Sequence, residues 1–430
     1  MCASLSDALT MASALTPVLP SLTSNPNVVI LVRALSGAPE GPLVVGPRLP
    51  FLTVRPFAAG TFPQAVPLGS TLRVLAPGFS MHGFVLNASG VQSGEAFRFS
   101  QGAANLTSLQ VLGLNGAGPA IVASSGPAFS ALYVNETFRG RITGSVVLHN
   151  VTLDCSRPPP ALLALSGVFT LLQLSAVRLA QPLATLLVNA SGLTASGNVT
   201  LAGLSLSGLT GLVLAPPPSA YPAGAATAAT TVSLQQCNFT ALRCAQSCVG
   251  AALDGTSGAA GEAARLSVTV QSCSFTDVVT RTAVLSGGRF ASSVADSTFS
   301  DITAPLAVLR LHSTAQVAFA LTGTTFTDIQ GGCLVVGGRI APVTISGSSF
   351  TGTASVAAAL VVASEAAASS PAPFFAVSSC TFSNVSSVGA GGGGQSTLAP
   401  GRRPQSSTSL TPPSGTFPAL AAAGQCMQRC

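Results

Sequence analysis

The stretch TTFTDIQGGCLVVGG, residues 324–338, repeats the pattern of two earlier stretches of the same chain. CSFTDVVTRTAVLSGG occupies residues 273–288, and STFSDITAPLAVLRLHS occupies residues 297–313. Each begins with a small residue and continues through Phe, Ser or Thr, Asp and a β-branched residue into an apolar run. Self-similarity at a regular interval is the signature of a repeat protein, so a stack of similar structural units is expected.

Positions within the units become comparable when each unit is numbered from its central Phe or Leu as position 0. Apolar residues then recur at −7 and −5, and a small or apolar residue recurs at −2. Units with Phe at position 0 are centred on Phe239, Phe275, Phe299, Phe326, Phe350 and Phe382. Upstream units are centred on Leu153, Leu179 and Leu206 and, more loosely, on Leu114 and Phe79.

This spacing predicts strands joined by corners. Positions −7 and −5 share one parity and −2 and 0 share the other, so each pair fits a strand whose side chains alternate between two faces. The change of parity requires the chain to turn between −5 and −2, and a third apolar run follows each anchor at about +7 to +11. Three short strands per unit predict an all-β fold, a parallel β-helix whose equivalent residues stack about 4.8 Å apart. The Phe anchors are then an inward ladder of stacked rings.

The two ends of the chain differ from the repeat. LSDALTMASALTPV (5–18) predicts a short helix with Asp7 near its start, which would cover the open end of the solenoid, and NVVILV (27–32) predicts the first strand. From residue 389 the sequence is rich in Gly, Ser and Pro and predicts a disordered linker or tail. The expected organisation is a cap at 1–27, a β-helix of roughly 11 coils at 28–388 and the tail at 389–430.

Two stretches have alternative interpretations. NLTSLQVLGLNGAGPA (105–120) imitates a leucine-rich repeat, although it occurs once and the period elsewhere differs. ALLALSGVFTLLQLSAV (161–177) is the best candidate for a membrane span, but it is short, contains Gln173 and follows the repeat register. We therefore predict buried strands there rather than a transmembrane segment.

The chain resembles right-handed parallel β-helix proteins of the pectin-lyase-like class and, within that class, the polymorphic outer-membrane-protein type of repeat. The latter pairs an F-x-x-N motif with G-G-A-[I/L/V], and Phe326 followed by GGCL at 331–334 is the nearest match. In this chain the polar residue stands at +2 instead of +3. The resemblance covers about residues 28–388 and implies a single-stranded right-handed parallel β-helix. The short helix predicted from residues 5–18 would cap its N-terminal end.

Composition limits the expected partners. The 430 residues are 47% hydrophobic and only 7% charged, where about 25% charged is usual, so most of the chain is expected to fold. All 18 basic residues are Arg, and apart from Arg402–Arg403 they are scattered singly. Because no basic stripe can follow a phosphate backbone, nucleic acid is not an expected partner.

The Asn residues are concentrated in N-x-Ser/Thr acceptor sequences. Eight of the eleven Asn residues lie in such sequons, namely Asn87, Asn105, Asn135, Asn150, Asn189, Asn198, Asn238 and Asn384. Ser and Thr make up about a fifth of the chain, so chance predicts roughly two sequons. This excess predicts an N-glycosylated chain that is secreted or on the cell surface. The first 18 residues do not resemble a signal peptide, which suggests a missing start or a fragment of a larger protein.

The ten Cys residues are even in number, which suits an oxidising compartment. Disulfide candidates are Cys244 with Cys248, Cys426 with Cys430, and Cys237 with Cys273. The last two both occupy position −2 of adjacent units, within Cα range of a disulfide, and buried thiols are the alternative there. No Cys pair has a second pair or a His at ligand spacing, so no metal site is predicted.

The sharpest candidate for chemistry is a column of three Asp residues at +2, Asp277, Asp301 and Asp328. In the pectate-lyase-like enzymes that the chain resembles, acidic side chains hold Ca²⁺ and an Arg removes the substrate proton, a role that Arg281 or Arg310 could take. The alternative is that Asp at a corner bonds its own backbone. Asn384 and Gly352 at the same position favour this structural role, as both suit turns. The three His residues are isolated, and His82 is expected in an exposed turn.

These observations predict a structural or adhesive glycoprotein of the cell exterior that contacts matrix or wall polysaccharide, or other matrix proteins. No catalysis and no cofactor are expected. The alternative is a polysaccharide lyase or glycoside hydrolase of the pectin-lyase-like class, which would use Ca²⁺. A third possibility is that the chain is one part of a larger receptor.

Overall fold

A computed structural model describes residues 4–15, 27–32, 43–46, 51–57, 65–76, 78–100, 102–125, 144–180, 185–194, 197–217, 230–251, 266–288, 291–355, 360–364 and 375–387. The described residues divide into two compact units, one formed by those within 1–239 and 251–254 and the other by those within 240–250 and 255–430. Apart from one short helix, the secondary structure of the described residues is β-strand. The strands stack in three parallel sheets, so the predicted parallel β-helix is confirmed.

The first unit contains the helix and the first nineteen strands. In chain order these elements are α1 (Leu5–Leu15), β1 (Asn27–Val32), β2 (Val44–Val45), β3 (Phe51–Pro56), β4 (Val66–Pro67), β5 (Leu72–Val74), β6 (Gly78–His82), β7 (Val85–Asn87), β8 (Phe97–Phe99), β9 (Ala103–Leu114), β10 (Ile121–Ser125), β11 (Gly144–Cys155), β12 (Ala161–Gly167), β13 (Phe169–Ser175), β14 (Arg178–Leu179), β15 (Leu186–Leu193), β16 (Gly197–Ala202), β17 (Ser205–Ser207), β18 (Gly211–Ala215) and β19 (Thr230–Gln235). β20 (Asn238–Cys244) and β21 (Val249–Ala251) contribute residues to both units.

Helix α1 begins as the sequence predicts. The Ser4 hydroxyl caps it by accepting the backbone N–H of Asp7 at 3.0 Å. Its buried face comprises Leu5, Leu9 and Ala12, and the helix contacts β1 and β2. Since β1 begins this stack of strands, the contact is consistent with the predicted capping role.

Each strand of the first unit pairs with its equivalent in the next coil. One sheet joins β3, β6, β9, β11, β13, β16 and β19 in that order. Another joins β2, β5, β8, β10, β12, β15 and β18. Residues 161–177 supply β12 and β13, as predicted. No helix among the described residues is long and apolar enough to cross a membrane.

The register corrects two of the predicted anchors. Leu153 pairs with Leu179, as expected, but its partner in the preceding coil is Val111 rather than Leu114. Val111 pairs in turn with Leu86, while Phe79 belongs to the preceding strand of its coil and pairs with Ala104. The stretch that imitates a leucine-rich repeat therefore lies largely in β9, a coil of the same β-helix. The spacing of its Leu residues gave the wrong inward position, because the bends at Ser108 and Gly113 have positive φ and change which of the following residues face inward.

The second unit contains the remaining strands. They are β22 (Leu266–Gln271), β23 (Ser274–Thr280), β24 (Ala283–Gly287), β25 (Ser292–Ala295), β26 (Thr298–Ala304), β27 (Ala307–Thr322), β28 (Thr325–Gly331), β29 (Leu334–Ser346), β30 (Ser349–Thr351), β31 (Ala354–Ser355), β32 (Leu360–Ser364), β33 (Phe375–Ser378), β34 (Thr381–Ser383) and β35 (Ser386–Ser387). The middle strand of each coil pairs in the order β23, β26, β28, β30 and β34. Strands β27 and β29 pair with each other through both their third-strand and first-strand portions.

The predicted Phe ladder occupies the interior of the second unit. Phe275, Phe299, Phe326, Phe350 and Phe382 pair in sequence along the middle sheet. Successive ring centroids lie 4.9, 5.2, 5.0 and 4.8 Å apart, with interplanar angles of 3° to 9°. The first four rings are fully buried, and the last is half-buried. The ladder thus repeats at the spacing of the paired strands.

Two left-handed bends flank each inward Phe of the second unit. The residues at −3 with positive φ are Ser272, Asp296, Gly323, Gly347 and Ser379, and those at +2 are Asp277, Asp301, Asp328, Gly352 and Asn384. A single left-handed residue reverses which face the following side chains occupy. The bend at −3 is therefore the corner that the change of parity predicted. Asp, Asn and Gly adopt this conformation at lower cost than most residues, which accounts for their recurrence.

Small polar side chains at −2 form hydrogen bonds with the backbone around the bend at −3, on the inward side of the coil. The Ser297 hydroxyl donates to the carbonyl oxygen of Ala295 at 2.7 Å and accepts the backbone N–H of Cys273 at 3.1 Å. Thr324 likewise donates to Thr322 across its own bend. A buried N–H or carbonyl left unpaired costs about 1–3 kcal/mol. The requirement for a donor explains why Ser, Thr and Cys occupy this inward position.

Replacing Phe299 with Ala should lower the free energy of unfolding by about 3–5 kcal/mol, because it leaves a cavity in the middle of the ladder. Urea unfolding followed by circular dichroism measures the loss. Phe382→Ala, at the half-buried end of the ladder, is the matched control and should cost clearly less. Equal losses at the two positions would contradict an interior ladder.

Candidate functional site

The three predicted Asp residues lie along one edge of the middle sheet. Asp277, Asp301 and Asp328 have φ values of 54°, 53° and 52°, and all three are exposed. Their neighbours are in register, since Thr276 pairs with Ser300 and Val278 pairs with Ile302. The carboxylates therefore follow one another at about the strand spacing of 4.8 Å, each from an equivalent bend.

Arg243, which the sequence analysis did not identify, forms an ion pair with Asp277, the first carboxylate of this column. Its Nη2 lies 2.9 Å from each carboxylate oxygen of Asp277, and its Nη1 donates to the Asp277 carbonyl oxygen at 2.7 Å. The two side chains are about half exposed, at 51% and 53%, so the pair adds little stability. Of the two Arg residues that the sequence suggested, Arg281 is exposed after β23, and Arg310 is half-buried in β27.

The column ends where Asp gives way to Gly. A Cβ placed on Gly352 would lie 2.4 Å from Oδ1 of Asp328, and Gly352 itself has a φ of +63°. Ca²⁺ requires six to eight converging oxygen ligands. In the part of the chain that the structure describes, no group of three or more His, Cys, Asp and Glu side chains is arranged to hold a metal ion.

The histidines form two hydroxyl–imidazole contacts in the first unit. His82 Nε2 lies 2.7 Å from Ser80 Oγ, and His149 Nδ1 lies 2.8 Å from Ser175 Oγ. The expectation that His82 lies in an exposed turn is wrong, because it ends strand β6 and pairs with Thr107. Partial burial, and to a smaller extent the charge of Arg55, lowers the pKa of His82. Such contacts suit a polar sheet surface.

The cysteines agree in part with the predicted pairings. Cys244 and Cys248 form a disulfide with a Cα separation of 5.2 Å. Cys237 and Cys273 carry thiols, whose sulfur atoms donate to the carbonyl oxygens of Gln235 and Gln271. Each thiol bonds the backbone of its own bend, and of the two alternatives left open for Cys237 and Cys273 the structure has the buried thiols. Cys426 and Cys430 lie outside the described residues.

Other thiols are enclosed in the core. Burial raises the pKa of Cys333 far above its ordinary range. Burial, with a smaller contribution from the neighbouring Asp154 carboxylate, raises the pKa of Cys155 to about 11. A thiol held protonated is a poor nucleophile, so these residues serve packing.

The described sequon Asn residues lie on the outside of their coils. The exposed ones are Asn87, Asn105, Asn150, Asn198, Asn238 and Asn384. Asn189 is half-buried, and its Oδ1 accepts the backbone N–H and the hydroxyl of Ser191 at 3.2 and 2.7 Å. Asn135 lies outside the described residues. Every acceptor that the structure describes is thus on the exterior of its own unit.

Comparison of the chain with protein-family models, with curated proteins and with solved structures gave no match. The chemistry open to the protein is set by the groups on its own surface. That surface carries exposed carboxylates at bends, one of them paired with Arg243, together with hydroxyl groups and outward Asn side chains.

Substitutions of Asp301 should separate a bend residue from a metal ligand. Asp301→Asn should change the free energy of unfolding by less than about 0.5 kcal/mol, because Asn adopts left-handed φ readily, whereas Asp301→Val should cost about 1–2 kcal/mol. Urea unfolding with and without Ca²⁺ measures both effects. Thr303→Val, outward on the same strand, is the control and should be near neutral. A calcium-dependent stabilisation that Asp301→Asn abolishes would overturn the structural role.

Proposed function

We propose that this protein is a secreted or cell-surface N-glycosylated β-helix that acts as a structural or adhesive element of an extracellular matrix or wall. The observation that supports this most directly is the outward position of every described sequon Asn. A glycan cannot be buried, so an excess of sequons on a folded core fits glycosylation only if the acceptors face solvent.

The architecture suits a scaffold. Each unit is a stack in which coils contact their neighbours, and such stacks present long surfaces with regularly spaced side chains. The surface carries few charges, since only 7% of the chain is Asp, Glu, Lys or Arg. Repeated neutral polar groups suit contact with polysaccharide or with other matrix proteins.

Polysaccharide cleavage is supported less well, even though the chain resembles pectin-lyase-like proteins in its repeat. A lyase or hydrolase needs an acid–base pair enclosed with its substrate. Asp277 is paired with Arg243, and Asp301 and Asp328 are exposed at bends. Their recurrence has a conformational explanation in the left-handed φ values.

If the sequons are used, the intact mass of protein secreted from a eukaryotic host should fall after treatment with an N-glycosidase. Peptide mapping should locate the modified residues among the exposed Asn, with Asn238→Gln removing one glycan as the control. An unchanged mass would contradict the glycoprotein proposal.

Matrix contact predicts retention of the glycosylated protein on polysaccharide without turnover. The purified chain is incubated with isolated wall material and a polysaccharide panel, with and without Ca²⁺, and both retention and the absorbance of unsaturated products are read. We expect retention with no product in either condition. Calcium-dependent product would establish the lyase alternative instead.

A further inference from the structure

The outer surface of the middle sheet in the second unit is a double column of hydroxyl groups. Every residue at −1 and +1 beside the five stacked Phe residues is Ser or Thr: Ser274, Thr276, Thr298, Ser300, Thr325, Thr327, Ser349, Thr351, Thr381 and Ser383. We call these ten residues the hydroxyl face. All ten are exposed or half-buried, and all lie in β23, β26, β28, β30 or β34. Ser and Thr make up about a fifth of the chain, so ten in ten is far from chance.

The hydroxyl face is supported by the Phe ladder on the inner side of the same strands. The Phe side chain between each pair of hydroxyl residues belongs to the ladder, whose rings repeat every 4.8 to 5.2 Å. Across one strand the two columns are roughly 6.5 Å apart, given the rise of about 3.3 Å per residue. Two adjacent pairs of hydroxyls in the +1 column are hydrogen-bonded, Thr276 with Ser300 at 3.1 Å and Thr351 with Ser383 also at 3.1 Å. A rigid array loses little entropy when it binds.

The surroundings of the face set the charge of its ligand. The bends at its margins carry Asp277, Asp301 and Asp328 on one side and Asp296 on the other, all exposed. Arg243 pairs with Asp277. This excess of carboxylates disfavours an anionic glycan such as polygalacturonate and favours an uncharged polyhydroxyl ligand.

The sequence keeps this face free of N-glycans. All eleven Asn residues of the chain lie outside the stretch from Phe239 to Ser383, which contains the whole hydroxyl face. Under the glycosylation proposed above, no N-glycan would grow from this stretch. Asn238 and Asn384 adjoin the two ends of this stretch, so N-glycans there would border the hydroxyl face rather than grow from it.

We propose that the hydroxyl face binds the surface of an uncharged β-1,4-linked polysaccharide, with the glycan chain running along the stack and one sugar unit meeting each coil. The length of a pyranose unit in an extended β-1,4-linked chain is close to the spacing of the coils. A hydroxyl group donates and accepts, so each Ser or Thr can bond either partner group on a sugar. Single contacts are weak, and their repetition along a rigid array supplies the affinity. This inference rests on the proposed extracellular role.

The shared group on the face is the hydroxyl rather than the methyl, because four of the ten positions are Ser. That composition favours hydrogen bonding to sugar hydroxyls over ordering of water by Thr methyl groups, as ice binding would require. The distinction provides one arm of the test.

The test measures depletion of the glycosylated protein from solution by microcrystalline cellulose and, separately, by chitin. The double variant Thr325→Val with Thr327→Val keeps the β-branched shape and removes two hydroxyls from one coil. It should bind at least one of the two solids about ten-fold more weakly than the unmodified protein. Thr269→Val with Thr344→Val removes two hydroxyls from the neighbouring sheet and should bind like the unmodified protein. Thr325→Ser with Thr327→Ser removes only methyl groups and should also bind normally.

Circular dichroism and urea midpoints verify that each variant is folded. Should the double Val variant fail to fold, each single Val variant should still bind about three-fold more weakly. Undiminished binding by the Val variants, equal losses in the Ser and Val pairs, or preference for polygalacturonate would overturn the assignment. If the unmodified protein binds isolated wall or matrix material but neither cellulose nor chitin, the assignment is wrong and the proposed function stands. If it binds none of these, both are wrong.

Discussion

The constraint on which the second unit depends is that each coil must return to the same place one strand spacing along the stack. Parallel pairing sets that spacing, and the Phe ladder fills the interior at the same repeat of about 5 Å. A ring stacked on its equivalent fits only if the chain between them makes the same bends each time. Regularity of the interior thus imposes regularity on the bends and on the outer surface.

Much of the fold could be predicted because equivalent positions of successive coils recur at regular intervals in the sequence. The inward positions −7, −5, −2 and 0 are buried in the units centred on Phe275, Phe299, Phe326 and Phe350. The change of parity correctly indicated a corner, and the structure identifies it as one left-handed residue at −3. The polar role of position −2 was not predicted, because its hydrogen bonds cross a bend and a coil boundary that spacing alone does not reveal.

The errors arose where no single residue of a unit stood out in the sequence as the inward position 0, or where two contacting residues are far apart in sequence. Leu114 was preferred to Val111 because a Leu-rich run offers several residues of equal hydrophobicity, and only the bends at Ser108 and Gly113 decide between them. Arg243 was missed as the partner of Asp277 because 34 residues separate them in sequence. Pairing of two particular side chains depends on the length of the inserted loop, which leaves no periodic signal. The architecture repeats along the sequence, whereas the contacts between individual side chains of a site do not. The candidate site could therefore be predicted only as a column of Asp residues at equivalent bends.

Recurring residues in such a chain have either a structural or a functional explanation. A residue that recurs at an equivalent position has a structural explanation whenever the coil itself demands it, as the left-handed bends demand Asp, Asn or Gly. The outward positions −1 and +1 face solvent, where an extended strand accepts many residue types. Ten hydroxyl residues at those positions, in a stretch without Asn, therefore exceed what the fold requires. Folding accounts for the Asp column of the second unit, but it does not account for the double column of hydroxyl residues.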